Sequence, residues 1–325
     1  MLIAVGVDVG GTNTKLGAVT QDGKIIHKRR FSTRDQINKE AFLETLSTNI
    51  KMLISDIGKE YVDLAGIGIG APKANFYTGK VVGAANLAWQ GAVNLRQFLH
   101  DQFQVPVIVT NDANLAAVGE NEFGAAREMK NFLSVTIGTG LGCGIYINGE
   151  LFHGQNDMAG ELGHTSVKFK GRYCECGKQG CLEAYVSAKG LIRTTLKLLS
   201  KYEDESELRA IASRDLTPDK ISSAALRGDS MALKIYQYTG DILGYKLSDV
   251  IAMYNPEAIF LTGGIANAQS LLFEPTRRSI HKYIYKSYSD PIRLLPSALQ
   301  DDEISVLGGG ALVWKHLENK MAIVH

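Results

Sequence analysis

The apolar run from Leu2 to Val9 stops at Gly10-Gly11, which predicts a buried strand closed by a turn. Leu16 to Thr20 and, after Asp22-Gly23, Lys24 to Phe31 continue the pattern, so the chain starts as a three-strand antiparallel meander. From Asn38 to Ile57, Phe42, Leu43, Leu46, Ile50, Leu53, Ile54 and Ile57 recur at helical spacing, predicting an amphipathic helix that Gly58 stops. Leu64 to Gly70 reads as a glycine-laced strand, and Val105 to Thr110 as a short strand delivering Asn111-Asp112 into a helix that runs to about Glu122. Phe132 to Ile137, a glycine-rich turn, and Ile145 to Ile147 repeat the strand, turn, strand design of residues 5–19, which suggests two halves built as duplicates of one unit. Further on, the spacing predicts helices over Leu182 to Leu199, Ser222 to Leu226 and Ser230 to Tyr254, the last broken by Asn255-Pro256. A strand from Ala258 to Leu261 leads through Gly263-Gly264 into a helix reaching about Tyr285. Gly308-Gly309-Gly310 is expected to open a final helix, to about Glu318, that packs back on the N-terminal domain.

This is an α/β alternation, and 325 residues suffice for two domains with separate cores. A hydrophobic fraction of 45% with 34 glycines fits a globular chain. The net charge of +1 gives no reason to expect a nucleic-acid partner, and Lys28-Arg29-Arg30 reads as a solvated strand edge. No apolar run approaches the roughly 20 residues that a bilayer span needs. The start MLIAVGVDVGG enters a strand at once, without the charged flank and cleavage site of a signal peptide. The expected location is the cytoplasm, with no membrane partner, and that compartment keeps thiols reduced.

Chemistry concentrates between Gly160 and Glu183. His164, Cys174, Cys176 and Cys181 are spaced as H-x9-C-x-C-x4-C, and three thiolates with one imidazole are what a closed tetrahedral zinc site takes. A disulfide or free thiols are the competing reading; Cys-x-Cys strains a disulfide between its own members. No strand or helix signal lies between Val167 and Gly180, so the loop is expected to depend on the metal for its shape. The turn Gly10-Gly11-Thr12-Asn13-Thr14 lets backbone N–H groups and hydroxyls approach a phosphate closely; a plain hairpin is the alternative. Gly138-Thr139-Gly140 follows its strand without the helix of a dinucleotide fingerprint or the Gly-Lys-Ser/Thr ending of a P-loop. Asn111 or Asp112 suits a helix N-cap, and Asp112 also places a carboxylate where the helix dipole favours negative charge. Cys143 reads as a small core residue, and the histidines outside the loop, His153 among them, as surface residues.

The run AGELGH followed by C-x-C-G-x-x-G-C-L-E resembles the ROK family, whose members include bacterial sugar kinases and sugar-responsive repressors. The resemblance spans nearly the whole chain, because the DxGGT at Asp8, the turn at Gly138 and the Thr262-Gly263-Gly264 run recur in the family's order. It implies the two-domain actin-like ATPase (ribonuclease H-like) sugar-kinase fold, with an interdomain cleft and a zinc loop at residues 164–181. On that fold one domain takes residues 1–113 and 308–325, and a larger one residues 114–307. The resemblance also implies ATP, Mg2+ and structural Zn2+ as cofactors and a homodimer or homotetramer as the assembly. Asp8 would help hold magnesium; Gly10, Gly11, Thr12, Thr14 and Lys15, with Gly138, Thr139 and Gly140, would hold the phosphates. Gly263 and Gly264 would carry the adenosine, where a tight β-α turn is the alternative. Asp112 would be the catalytic base, while Asn86, Asn111, Asp112, Glu161, His164 and Glu183 would bind the hexose, and His164 would bind zinc as well.

One departure touches the sugar loop. The family usually shows a second glycine directly after the proline, and this chain has Lys73. Trp89 matches the family pattern Asn-Leu-x-Trp and reads either as a pocket wall or as core. The implied reaction is ATP-dependent phosphorylation of a hexose at its 6-hydroxyl, glucose first, with N-acetylglucosamine, N-acetylmannosamine, allose or fructose as alternatives. A repressor would carry a DNA-binding domain before the first strand, where this sequence starts directly; a sugar sensor that has lost the chemistry is a further alternative.

Overall fold

A computed structural model describes residues 1–58, 62–83, 87, 89, 91–288 and 292–323, the last four as backbone only. Contacts divide the chain into two compact units, residues 1–130, 144–159 and 297–325, and residues 131–143 and 160–296.

The first sheet has the order β3-β2-β1-β4-β7, built from β1 (Leu2–Val9), β2 (Asn13–Val19), β3 (Ile25–Ser32), β4 (Asp63–Gly70) and β7 (Val107–Thr110). The meander is antiparallel and β1, β4 and β7 are parallel. A small antiparallel pair, β5 (Lys80–Val82) with β6 (Ala92–Asn94), lies outside it. Helix α1 (Lys39–Ile57) starts where the Asn38 side chain accepts the Ala41 N–H and ends at Gly58, whose φ of +95° a side chain would resist. Its apolar stripe, Phe42, Leu46, Ile50 and Leu53, is buried with Ile3, Val5, Val7, Leu16 and Ile67. Helix α2 (Leu95–Phe103), which periodicity did not reveal, is capped by Asn94 and joins the same core through Leu95 and Leu99. Trp89 is core as well, stacked 4.2 Å from Phe42.

Helix α9 (Ile304–Ile323) begins four residues before the glycine triplet that was expected to open it. The glycines sit inside the helix because it packs tightly on β1, β4 and α3 (Asp112–Phe123). A Cβ on Gly308 would overlap the Leu115 carbonyl oxygen, and one on Gly309 would lie 2.7 Å from the Gly6 Cα. Close backbone approach, which only glycine permits, thus sets three positions as far apart in sequence as Gly6, Gly68 and Gly308. This packing keeps α3 with the first unit, where the sequence reading began the second domain at residue 114.

The second sheet has the order β10-β9-β8-β11-β12, from β8 (Phe132–Ile137), β9 (Leu141–Ile147), β10 (Glu150–Leu151), β11 (Ala258–Thr262) and β12 (Arg293–Pro296). β8, β11 and β12 are parallel and β9 with β10 antiparallel, so the order repeats that of the first sheet strand for strand. The helix expected over 182–199 is two, α4 (Glu183–Val186) and α5 (Ala188–Lys201). Ser187 interrupts them with ψ 172° and turns its side chain to the Gly190 N–H, while Ala188 donates its N–H to Gly138 O. Helices α6 (Pro218–Leu226), α7 (Ser230–Tyr254) and α8 (Ser270–Tyr283) complete this unit; α8 presses Pro275 against Gly240 of α7. Among the described residues no helix is long and apolar enough to cross a membrane.

Candidate active site and metal centre

In the first unit, β1 carries Asp8 to its C-terminal end, directly opposite Lys15 on β2. Burial, then the charge of Asp112, push the Asp8 carboxyl up to about 6, with Lys15 and the Ser305 hydroxyl pulling the other way. Two carboxylates therefore lie close enough for the charge of one to act on the other. Asp112 is the first residue of α3; the side-chain oxygens of Asn111 and Asp112 both accept the Ala113 N–H at 2.9 Å. The capping role read from sequence thus exists, and it points the Asp112 carboxylate to the helix N-terminus. Gly70 makes room for the first turn of α3, since a Cβ there would overlap Leu115 Cδ1 and lie 3.2 Å from the Asp112 Cα.

The turn after β1 is closed by the Gly10 N–H to Asn13 O at 3.1 Å. A Cβ on Gly10 would sit 2.8 Å from that same oxygen, so the tight turn requires glycine. Gly11 lies partly open and Thr12 is exposed; the Thr12 carbonyl accepts the Thr33 N–H at 2.9 Å. Thr14 lies on the opposite face from Lys15, fully buried, its hydroxyl 2.7 Å from that of Thr33. It braces the turn from behind. Asn86 lies outside the described residues. Lys73 adopts φ +54°, the left-handed region that favours glycine, and donates from Nζ to Gly83 O at 3.0 Å.

In the second unit, Gly138 donates its N–H to Gly140 O at 3.0 Å, leaving Thr139 exposed at the tip. Glu183 Oε2 accepts the Leu141 N–H at 2.8 Å and lies 2.7 Å from where a Gly140 Cβ would be. Gly263 needs its φ of +90° and touches the Ile137 backbone, whereas the space above Gly264 is open. Cys143 is buried, its thiol pushed up to about 12 by desolvation.

The ligand atoms of His164, Cys174, Cys176 and Cys181 all lie within 4.8 Å of one another. Cys174 Sγ is 3.7 Å from His164 Nδ1, and Cys176 Sγ is 3.6 Å from Cys181 Sγ; donors about 2.0–2.3 Å from a tetrahedral zinc stand about 3.5–3.8 Å apart. The four side chains fit such an ion, and none forms a disulfide. The loop has only single bridges for regular structure, Ser166 with Cys181 and Tyr173 with Gln179. His164 turns Nε2 the other way, 3.8 Å from Glu161 Oε2, so one ring serves the cysteine cluster and the carboxylate.

The ROK family model matches residues 4–316. The chain belongs to the ROK family. It is 36% identical over 321 residues to a glucokinase of Halalkalibacterium halodurans, covering 98% of this chain and 96% of that one. It is 30% identical over 317 residues to the xylose repressor of Bacillus spizizenii, covering 96% of this chain and 77% of the repressor. The crystal structure of a ROK family glucokinase from Streptomyces griseus with glucose and AMPPNP superposes with a TM-score of 0.79 at 28% identity, over 95% of this chain and 98% of that one. A further feature of this ROK chain also escaped the sequence reading. His153, expected on the surface, has a side chain only 13% exposed and paired at 2.6 Å with Asp157; the i,i+4 spacing just before AGELGH was its only trace.

Proposed function

We propose that this ROK-family sugar kinase transfers the γ-phosphoryl group of ATP to the 6-hydroxyl of a hexose, with glucose preferred. The observation that carries the reading is the Asp8–Asp112 carboxylate pair, with Asp112 at the N-terminus of α3. Asp112 acts as base. As the sugar O6 bonds to the γ-phosphorus and the bond to the ADP oxygen breaks, the O6 proton passes to the Asp112 carboxylate, which is effective only once transfer is under way. Asp8 holds the magnesium ion, whose charge offsets that of the phosphates. Gly10, Gly11 and Thr12 with Lys15, and Gly138, Thr139 and Gly140, line the phosphates; Thr14 supports its turn through Thr33. Gly264 leaves an open surface for the adenosine, and Gly263 provides the turn beneath it.

Asn86, Asn111, Glu161, His164 and Glu183 bind the remaining hydroxyls. Such a set discriminates by leaving its own polar groups unpaired with a wrong sugar. His164, Cys174, Cys176 and Cys181 hold zinc, which supplies a closed structural cross-link rather than an open Lewis-acid position. The preference for glucose is supported by the likeness to the Halalkalibacterium and Streptomyces glucokinases. The enzyme works in the cytoplasm as a homodimer or homotetramer.

The test is ATP-dependent ADP release by zinc-loaded protein with glucose, N-acetylglucosamine, N-acetylmannosamine, allose and fructose. Glucose turnover well above the rest supports the proposal, and preference for an acetylated sugar moves it to the hexosamine kinases. Sugar binding by calorimetry without turnover overturns it in favour of a sensor. Asp112→Asn should lose turnover by at least about 100-fold while retaining ATP binding; an active variant removes Asp112 as base.

A further inference from the structure

The loop of residues 71–83 leaves β4 beside the proposed base, the Ala71 N–H donating to Thr110 O at 3.1 Å. Its middle is gripped by a different stretch of chain. Asp157 accepts the Phe76 N–H on Oδ2 and the His153 Nδ1–H, at 2.6 Å, on Oδ1. The His153 ring stacks on Phe76 with centroids 4.0 Å apart and planes 22° off parallel. Asn75 donates from Nδ2 to Asn156 O at 2.9 Å, and the Tyr77 hydroxyl to Gly154 O at 3.1 Å. From the other side Arg96 holds the Phe76 and Tyr77 carbonyls.

Two features mark this as more than loop packing. The Asp157 side chain is 1% exposed, and a buried carboxylate is costly unless its acceptors are filled; here both oxygens are used, on the loop and on His153. Asp157 also holds φ +63°, a strained backbone for a residue with a side chain, sustained only where contacts hold it. Four residues on, Glu161 begins the AGELGH pairing with His164. The same stretch thus fixes the loop that carries Lys73 and leads into the Glu161–His164 pair.

We propose that Asp157 and His153 are positioning residues for sugar binding: a clasp between residues 75–77 and 153–157 that fixes the sugar loop, and with it the choice of hexose. This rests on the hexose-kinase reading above. Loss of a charge-assisted hydrogen bond to a buried group weakens what it organises by about 10-fold or more. Because ATP is assigned to other turns, the effect should fall on the sugar alone.

The experiment measures KM for glucose and for ATP, together with hydrogen exchange of the peptide covering residues 74–79, in wild type, Asp157→Ala, Asp157→Asn and His153→Phe. Asp157→Ala is expected to speed exchange of that peptide at least 10-fold and raise the glucose KM at least 10-fold, with the ATP KM unchanged within twofold. Asp157→Asn, which can still accept the Phe76 N–H, restores most of both; His153→Phe, which keeps the ring stack, falls between. Should Asp157→Ala not fold, Tyr77→Phe removes one exposed bond of the same clasp and should raise the glucose KM about two- to fivefold. Faster exchange with an unmoved glucose KM, equal rises in both KM values, or unchanged exchange overturns the proposal. A wild type that binds hexose without turnover sinks the kinase reading alone, and the clasp is then judged by calorimetric glucose affinity and exchange; no hexose binding at all sinks both.

Discussion

Replacing Asp8 by Asn should stabilise the magnesium-free protein at neutral pH while abolishing its activity. The folded state lifts the Asp8 carboxyl from 3.8 to about 6, first by burial and then by the nearby charge of Asp112. A group raised this far makes the ionised folded state less stable by about 3 kcal/mol, an upper figure because Asp8 keeps some contact with solvent. The sign follows from proton uptake. Between about pH 4 and 6 the folded chain binds more protons at this site than the unfolded chain does, so stability falls as pH rises through that window. The penalty is absent below it and complete above it. Asp8→Asn has nothing to titrate, so its advantage over wild type should grow from near zero at pH 4 to about 3 kcal/mol at pH 8.

The assay is urea unfolding of zinc-loaded wild type and Asp8→Asn at intervals from pH 4 to 8, without magnesium or nucleotide. Asp112→Asn in the same series should show part of the gain, because it removes the second cause of the shift. Adding Mg-ATP should raise the stability of wild type by mass action and leave Asp8→Asn much less affected. A difference between the two proteins that stays constant from pH 4 to 8 would refute the reasoning.

Other outcomes follow from local geometry. Gly308→Ala forces a methyl against the Leu115 carbonyl oxygen and should cost about 1–3 kcal/mol, read as a lower urea midpoint. Cys176→Ala should lose zinc, measured by elemental analysis, and glucose affinity, measured by calorimetry, together, because His164 serves both groups; full activity without bound zinc would count against the metal organising the site. Lys73→Gly relieves a left-handed backbone worth about 1–2 kcal/mol but gains chain entropy in the unfolded state and loses the bond to Gly83 O. Its stability should move by less than about 1 kcal/mol, while the ratio of glucose to N-acetylglucosamine turnover shifts.

Much of this was legible in the sequence because it obeys short-range rules. Periodicity marked β1, α1 and α7 nearly to the residue, and the ligand spacing brought four donors into one cluster. What escaped depends on partners distant along the chain. Nothing near Gly308 says that α3 and two strands crowd the helix there, so a glycine triplet reads as a helix start when it lies in the second turn. Leu182 to Leu199 looks continuous until Gly138 takes the Ala188 N–H. Thr14 belongs to a phosphate-like turn by sequence, yet strand alternation points it at Thr33. His153 and Asp157 are ordinary surface types until Phe76 arrives against both.

Glu183 joins the two kinds of chemistry in the second unit. Its Oε2 holds the Leu141 N–H at 2.8 Å and fills the space beside Gly140, while its Oε1 lies 3.8 Å from the Cys174 sulfur. The residue proposed to bind sugar is therefore also the post on which the Gly138–Gly140 turn rests and a neighbour of the metal cluster. If zinc is held as proposed, a shift of Cys174 on its loss would reach, through this one side chain, the turn proposed to hold phosphate. It follows that zinc removal should weaken nucleotide as well as hexose binding, whereas cutting the clasp at Asp157 should weaken hexose binding alone. Calorimetric titration of AMPPNP and of glucose into zinc-loaded, zinc-stripped and Asp157→Ala protein distinguishes the two, and an AMPPNP affinity indifferent to zinc would break the link through Glu183.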